Sequence, residues 1–199
     1  PGPLSRRIVG IGLVVLAVAG LLQALGVAAR LPLDLRLVLD ASGSMSSEAA
    51  AGGRQSKLAL LSEAVQAMLA ELAPGDHVTI VAFDDRPKTL FQGPIHDAKT
   101  RKAAQDALAK LRSGGGTKIS RGLAAACAGG FLPDHVARVV LVTDGETDRD
   151  EAECERLAFD QRGSAGWLVY GIGVDYNDGF LDRLAQESVA FFDKNLRQQ

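Results

Sequence analysis

The chain has 199 residues, 47% of them hydrophobic, and its 22 basic and 24 acidic side chains give a formal net charge of −2. This length suffices for one domain with a filled core, and the weak charge provides no basic surface for nucleic acid. Two cysteines, Cys127 and Cys154, are too few for a disulfide framework and lack metal-site spacing, although a disulfide between them stays conceivable.

The first predicted element is a long apolar segment. Residues 1–7 form an N-terminal tail or tag remnant, and residues 8–29 carry no charge. At about 1.5 Å per residue, a helix of this length reaches about 30 Å, which is the thickness of a bilayer's hydrocarbon core. We expect a retained transmembrane helix; a cleavable signal peptide and a buried soluble helix are the alternatives.

The apolar segment also carries a stripe of small residues, and the charges that flank it indicate its orientation in a membrane. Gly20, Ala24 and Ala28 form a stripe of small residues along which a second helix could approach closely. Arg6 and Arg7 precede the segment, which favours a cytoplasmic N-terminus. The expectation is a single-pass membrane protein whose domain lies on the extracytoplasmic side.

After a short linker over residues 30–34, strand and helix patterns alternate through a domain over residues 35–193, and residues 194–199 form a C-terminal tail. This alternation predicts an α/β fold with a doubly wound, mostly parallel, six-stranded sheet and helices on both faces, preceded by the N-terminal hydrophobic helix. The expected strands are 35–39, 77–83, 89–92, 138–143, 166–174 and 189–192, and the expected helices are 57–72, 98–111, 119–129, 151–162 and 179–187.

Oxygen-bearing side chains cluster in three segments near predicted strand ends, where doubly wound sheets bind ligands. Together they supply two carboxylates and three hydroxyls: Asp40, Ser42 and Ser44 after the first strand, Thr117 in a glycine-rich loop, and Asp144 after the fourth strand. Such an all-oxygen set suits a hard divalent cation, Mg²⁺ before Zn²⁺, with Ca²⁺ or Mn²⁺ as alternatives. The simpler alternative is that these are ordinary capping residues and turn glycines.

Two acidic stretches lie beside these segments. The run from Glu146 to Glu153 is expected to favour a helix N-terminus through the helix dipole, and the alternative is that it shapes the rim of the site and repels anionic partners. Asp84-Asp85-Arg86 is expected to form a plain turn at a strand end, with a place on the rim of the site as the alternative.

The pattern Asp40-x-Ser42-x-Ser44, Thr117 after three glycines and Asp144 in Thr-Asp-Gly resembles the complete metal-ion-dependent adhesion site of von Willebrand factor type A domains. The resemblance covers the whole of residues 35–193. It implies a sheet in the order 3-2-1-4-5-6 with a short antiparallel third strand. It also implies that the hydroxyls of Ser42, Ser44 and Thr117 contact Mg²⁺ directly, that Asp40 and Asp144 act through water, and that a partner's carboxylate completes the coordination.

The donor set also points to a function. Neutral hydroxyls leave most of the ion's charge uncompensated, so the site attracts an Asp or Glu carboxylate of a partner protein. We therefore expect a membrane-anchored, Mg²⁺-dependent protein-binding module for adhesion or assembly, and not an enzyme. The alternatives are a structural or maturation subunit of a larger membrane complex, with an AAA+ ATPase partner by analogy with bacterial relatives, and a metal-dependent hydrolase, although the motifs contain no general base.

Overall fold

The computed structural model describes residues 30–49, 54–173 and 177–185. The predicted transmembrane helix over 8–29 and the predicted sixth strand over 189–192 lie outside the described residues. In the part of the chain that is described, no helix is long and apolar enough to cross a membrane.

The described strands form one five-stranded sheet in the order β3-β2-β1-β4-β5. Their bounds are Leu33–Asp40 for β1, His77–Phe83 for β2, Pro87–Pro94 for β3, Val136–Thr143 for β4 and Gly166–Gly171 for β5. β1 pairs in parallel with β2 and β4, β4 pairs in parallel with β5, and β3 runs antiparallel to β2. The order 3-2-1-4-5 and the antiparallel third strand are thus confirmed, and the carboxyl ends of the four parallel strands share one edge.

Four helices flank the sheet: α1 over Lys57–Ala70, α2 over Ala98–Leu108, α3 over Ile119–Cys127 and α4 over Glu151–Asp160, and residues 178–185 are also helical. α1 begins after Ser56, whose side chain accepts a hydrogen bond from Ala59 N, and α2 begins at Asp97 with a capping box. All four end two or three residues before the predicted ends. In α3 the reason is visible, because Gly129 and Gly130 have positive φ angles that stop a helix.

β1 is the centre of the molecule, and all eight of its residues are buried. Alternate side chains such as Leu37 and Leu39 pack with α1 and α2 on one face, whereas Val38 packs with α3 and α4 on the other. This two-sided burial explains the apolar residues 37–39 of β1 and confirms helices on both faces, whereas Asp34 and Arg36 of the same strand are buried as an ion pair at 2.7 Å. Cys127 and Cys154 lie in the second layer as free thiols, so no disulfide joins them, and burial raises the pKa of Cys127 to about 11.

Several strand boundaries differ from the expectation: β4 begins two residues earlier, at Val136, β5 ends at Gly171 and not at 174, and β3 and β1 differ as well. β3 was expected over 89–92, yet it extends beyond Gln92, since Gly93 pairs with Val78 and Pro94 with His77. An edge strand tolerates proline because only one of its sides is paired. β1 begins at Leu33, so Leu33 and Asp34 belong to the strand and the segment before it is shorter than the expected 30–34 linker.

Candidate metal centre

The three predicted segments lie at the carboxyl edge of the sheet. Asp40 is the last residue of β1, and Thr143 is the last residue of β4, the strand beside it. The loop with Thr117 precedes α3 and reaches the same edge, where Gly114 N donates to Ala41 O over 2.8 Å and Gly43 N donates to Gly115 O over 3.1 Å. Backbone hydrogen bonds therefore join the Thr117 loop to the loop that carries the two serines.

Asp40 is fully buried and held through both carboxylate oxygens. Oδ1 accepts a hydrogen bond from Ser42 N over 2.8 Å, and Oδ2 accepts one from the Thr143 hydroxyl over 2.5 Å. The Thr143 oxygen in turn accepts from Gly145 N over 3.0 Å. Burial raises the pKa of Asp40 to about 6 because desolvation outweighs these hydrogen bonds. The carboxylate is thus fixed in place but poorly compensated.

The alternating serines are brought together. After Asp40 the chain enters a 3-10 turn over Gly43–Ser46, and the hydroxyl oxygens of Ser42 and Ser44 lie 3.1 Å apart. The next two serines behave differently: Ser46 Oγ donates to Gly43 O and Ser47 Oγ to Ser44 O, each over 2.7 Å. The turn therefore separates a converging pair of hydroxyls from two that close the turn itself.

Acidic residues shape the Thr117 loop, and for Asp85 this role agrees with the alternative expectation of a place on the rim of the site. Asp85 Oδ2 accepts from Gly116 N and Asp148 Oδ2 from Thr117 N, each over 3.0 Å, and Asp150 Oδ2 accepts from Ser120 N over 2.8 Å. Asp148 and Asp150 thus serve the start of α3 and not only that of the helix that follows them, and Asp85 does more than form a turn. A side chain at Gly115 would strike Asp85, because its Cβ would lie 2.8 Å from Oδ2, and its φ is +73°.

Asp144 is fully buried and carries an ion pair that the sequence analysis missed. Its Oδ2 lies 3.0 Å from the ammonium of Lys57, while its Oδ1 accepts a longer hydrogen bond of 3.3 Å from Glu146 N. Lys57 is the first residue of α1 and only 7% exposed. Nothing in the sequence motifs pointed to this lysine; a charged residue on the buried side of α1 was the one available signal.

The donor set that results is all oxygen. Asp40, Ser42 and Ser44 share one hydrogen-bonded turn, and Thr143 ties Asp40 to the loop of Asp144. Thr117 is buried beside them on a loop bonded to the same turn. Among the described residues, no three His, Cys, Asp or Glu side chains gather around a possible ion. The five predicted donors are two carboxylates and three hydroxyls, whose chemistry fits a hard cation that keeps part of its water.

Comparison with known proteins decides the family. A sequence model of the von Willebrand factor type A domain matches residues 35–146, which is more than half of the chain and includes all three loops. The chain belongs to the von Willebrand factor type A family. The strand order and the flanking helices of this type A domain agree with that assignment.

Three individual proteins that resemble this chain are between 16% and 31% identical to it over the matched residues. The type A domain is 31% identical over 162 residues to the uncharacterised protein sll0103 of Synechocystis, covering 78% of this chain but only 36% of that protein. It superposes on BatB of Bacteroides thetaiotaomicron with a TM-score of 0.64 at 17% identity, covering 79% of this chain and 87% of that one. It superposes on the manganese-loaded TRAP protein of Plasmodium vivax with a TM-score of 0.61 at 16% identity, covering 78% and 63%.

Proposed function

We propose that this chain is a protein-binding module in which Asp40, Ser42, Ser44, Thr117 and Asp144 hold one divalent metal ion, Mg²⁺ in the first place. The observation that carries the proposal is the 3.1 Å approach of the Ser42 and Ser44 hydroxyl oxygens beside the buried carboxylate of Asp40. Helix capping does not explain this arrangement, since the Ser42 side chain makes no cap hydrogen bond to the turn that follows it. The TRAP structure, which has a similar fold, is manganese-loaded, and this supports the proposal of a divalent metal.

The chemistry of the donors defines what the site binds. The hydroxyls of Ser42, Ser44 and Thr117 are neutral, and the two carboxylates are held by protein donors. When bound, the ion would supply a strong positive charge at the surface with room for one further oxygen ligand. A carboxylate from an Asp or Glu of a partner protein matches that charge and hardness. We therefore propose capture of an acidic side chain and not catalysis.

A second feature supports an acidic partner. Beside the serine loop is a cavity of about 220 Å³ with an apolar floor that includes Ala41, Phe83 and Leu111. Four cationic side chains line it, namely Arg86, Lys88, Lys110 and Arg112, against one acidic residue, Asp84. In the described part of the chain none of the four is in an ion pair. A partner segment that carries further acidic residues next to the metal-bound one would meet complementary charge here.

The decisive experiment compares two serines of the same turn. Ser44→Ala removes a proposed metal ligand, whereas Ser46→Ala removes a hydroxyl that only closes the turn. We expect Mg²⁺ and Mn²⁺ to bind the full chain in neutral detergent, Ser44→Ala to abolish binding measured by calorimetry, and Ser46→Ala to retain it. Equal metal binding by both variants would contradict the proposed ligand set.

A further part of the proposal concerns how the domain is attached to a membrane. Residues 8–29 would anchor the chain in a membrane as a single span, with the metal-bearing edge on the extracytoplasmic side and turned away from the bilayer. As an alternative, the small residues Gly20, Ala24 and Ala28 would make that helix the main contact in a larger membrane complex, with an AAA+ ATPase among the candidate partners. Replacing Gly20 and Ala24 with leucine separates the two, because only the second proposal expects loss of assembly with intact metal binding.

A further inference from the structure

Lys57 lies inside the candidate metal centre. Its ammonium is 3.0 Å from Asp144 Oδ2, and its side chain is 8% exposed beside a carboxylate that is 0% exposed. A lysine is seldom buried unless it is paired, so this contact defines where the side chain goes. The pairing leaves Asp144 Oδ1 as the oxygen that is free to turn towards the serine loop, apart from its long bond to Glu146 N.

The chain holds this lysine in place from two directions. Its backbone N–H donates to Ser47 O over 2.9 Å, which ties the start of α1 to the end of the serine turn. On the other side, the backbone of Gly173 covers the side chain so closely that a Cβ there would lie 2.7 Å from Lys57 Cε. With a φ of +102° at Gly173, only glycine suits this cover. The ammonium is therefore a fixed positive charge of the site.

A fixed positive charge affects two ligands in opposite ways. With Asp40 and Asp144 ionised and Lys57 charged, the site carries one net negative charge, and two without the lysine. A divalent cation is repelled by Lys57 and competes with it for Asp144. Once that cation is held, however, the site carries one net positive charge with Lys57 and none without it. The net charge therefore attracts an incoming carboxylate more strongly in the first case.

We propose that Lys57 is a positioning residue that weakens metal binding and strengthens binding of the partner's carboxylate. The proposal rests on the metal-dependent binding function proposed above. It adds to that function the residue that sets the affinity for the metal against the affinity for the partner's carboxylate. Without metal, Lys57 also keeps the buried Asp144 paired, which protects the fold because an unpaired buried charge is strongly destabilising. The metal-free domain is then a stable form in which the ammonium of Lys57, in place of the metal ion, compensates the charge of Asp144.

The test uses two neutral replacements in the full chain in neutral detergent. Lys57→Met keeps the length of the side chain, and Lys57→Gln keeps a donor for Asp144 Oδ2 should the methionine variant fold poorly. Lys102→Met is the matched control, since it removes a lysine that is 72% exposed on α2. Calorimetric titration with MnCl₂ is expected to show roughly tenfold tighter binding for both Lys57 variants and no change for the control.

The second measurement concerns the anion. Sodium acetate is titrated into each Mn²⁺-saturated protein, and its binding is followed by the loss of water relaxation enhancement at the ion. We expect the affinity for acetate to be lower by a factor of roughly three or more in the Lys57 variants. A purely structural role would weaken both ligands together. Unchanged or weaker Mn²⁺ binding in the variants, or acetate binding equal to wild type, would overturn the proposal, whereas a wild-type chain that binds no Mn²⁺ would overturn the proposed function itself.

Discussion

The hydroxyl of Thr143, at the end of β4, donates a hydrogen bond to Asp40 Oδ2, at the end of β1, over 2.5 Å. The same oxygen of Thr143 accepts from Gly145 N, which starts the turn behind Asp144. One threonine thus connects the two strand ends that carry the carboxylates. Through Thr143, the relative position of the two carboxylates depends on the pairing of β1 with β4.

Replacing Thr143 with valine tests that connection. Valine has the same shape but no hydroxyl, so Asp40 loses a buried donor and Gly145 N loses its acceptor. We expect the free energy of unfolding in EDTA to fall by about 1–3 kcal/mol and Mg²⁺ binding to weaken. Thr89→Val on the exposed edge strand β3 is the control and should change neither quantity. Denaturant unfolding and metal titration provide the measurements.

The raised pKa of Asp40 predicts a pH-dependent stability of the metal-free protein. Its pKa is about 6 in the fold against 3.8 for a free aspartate, so the folded state binds the proton more tightly than the unfolded state. Stability from this group is therefore present below about pH 4 and is lost as the pH rises through 6, a change of about 3 kcal/mol.

Asp40→Asn isolates this effect, because asparagine is neutral at every pH and can still bond to Ser42 N and Thr143. In EDTA, we expect the variant to match wild type near pH 4 and to be more stable by about 3 kcal/mol at pH 8. Denaturant unfolding across this pH range measures the difference. A difference that stays constant with pH would show that Asp40 is not the titrating group. Mg²⁺ should stabilise the wild type but not Asp40→Asn.

The bond from Thr117 N to Asp148 predicts a distant effect on metal binding. Asp148→Ala frees the Thr117 loop, so Mg²⁺ binding should weaken by roughly tenfold, in the range typical of groups that orient metal ligands. Glu146→Ala removes the same charge two residues away without touching that loop, and its metal binding should change by no more than about twofold. Equal losses in the two variants would mean that charge alone, and not loop geometry, determines binding.

The cationic cavity predicts a loss of partner binding with metal binding retained. Lys88→Glu combined with Lys110→Glu reverses two charges of the cavity wall. In Mg²⁺ the wild-type chain is expected to capture partner protein from a membrane extract and to release it in EDTA. We expect the cavity variant to capture less of this protein, while its affinity for Mn²⁺ is unchanged. Lys99→Glu with Lys102→Glu on α2 is the control for total charge. Undiminished capture by the cavity variant would exclude this wall from the interface.

The sequence predicted the features that depend on local pattern. The buried run of β1 and the order of the three oxygen-bearing segments led to the fold, and the order 3-2-1-4-5, which the family resemblance implied, is confirmed. Lys57 and Asp148 escaped notice because their roles are contacts across 87 and 31 positions of the chain, which no periodicity reveals. The helix over 8–29, the sixth strand and the choice of Mg²⁺ stay predictions.

β3 begins with Pro87 and ends with Pro94 at the border of the sheet. Proline has no N–H to offer, and Lys88 adds a charge next to the first proline, so a strand from another molecule would find poor pairing at both ends of this border. Pairing of two copies of the domain through this edge is thereby disfavoured. Many copies of the domain can then lie close together without the aggregation that an open sheet edge invites.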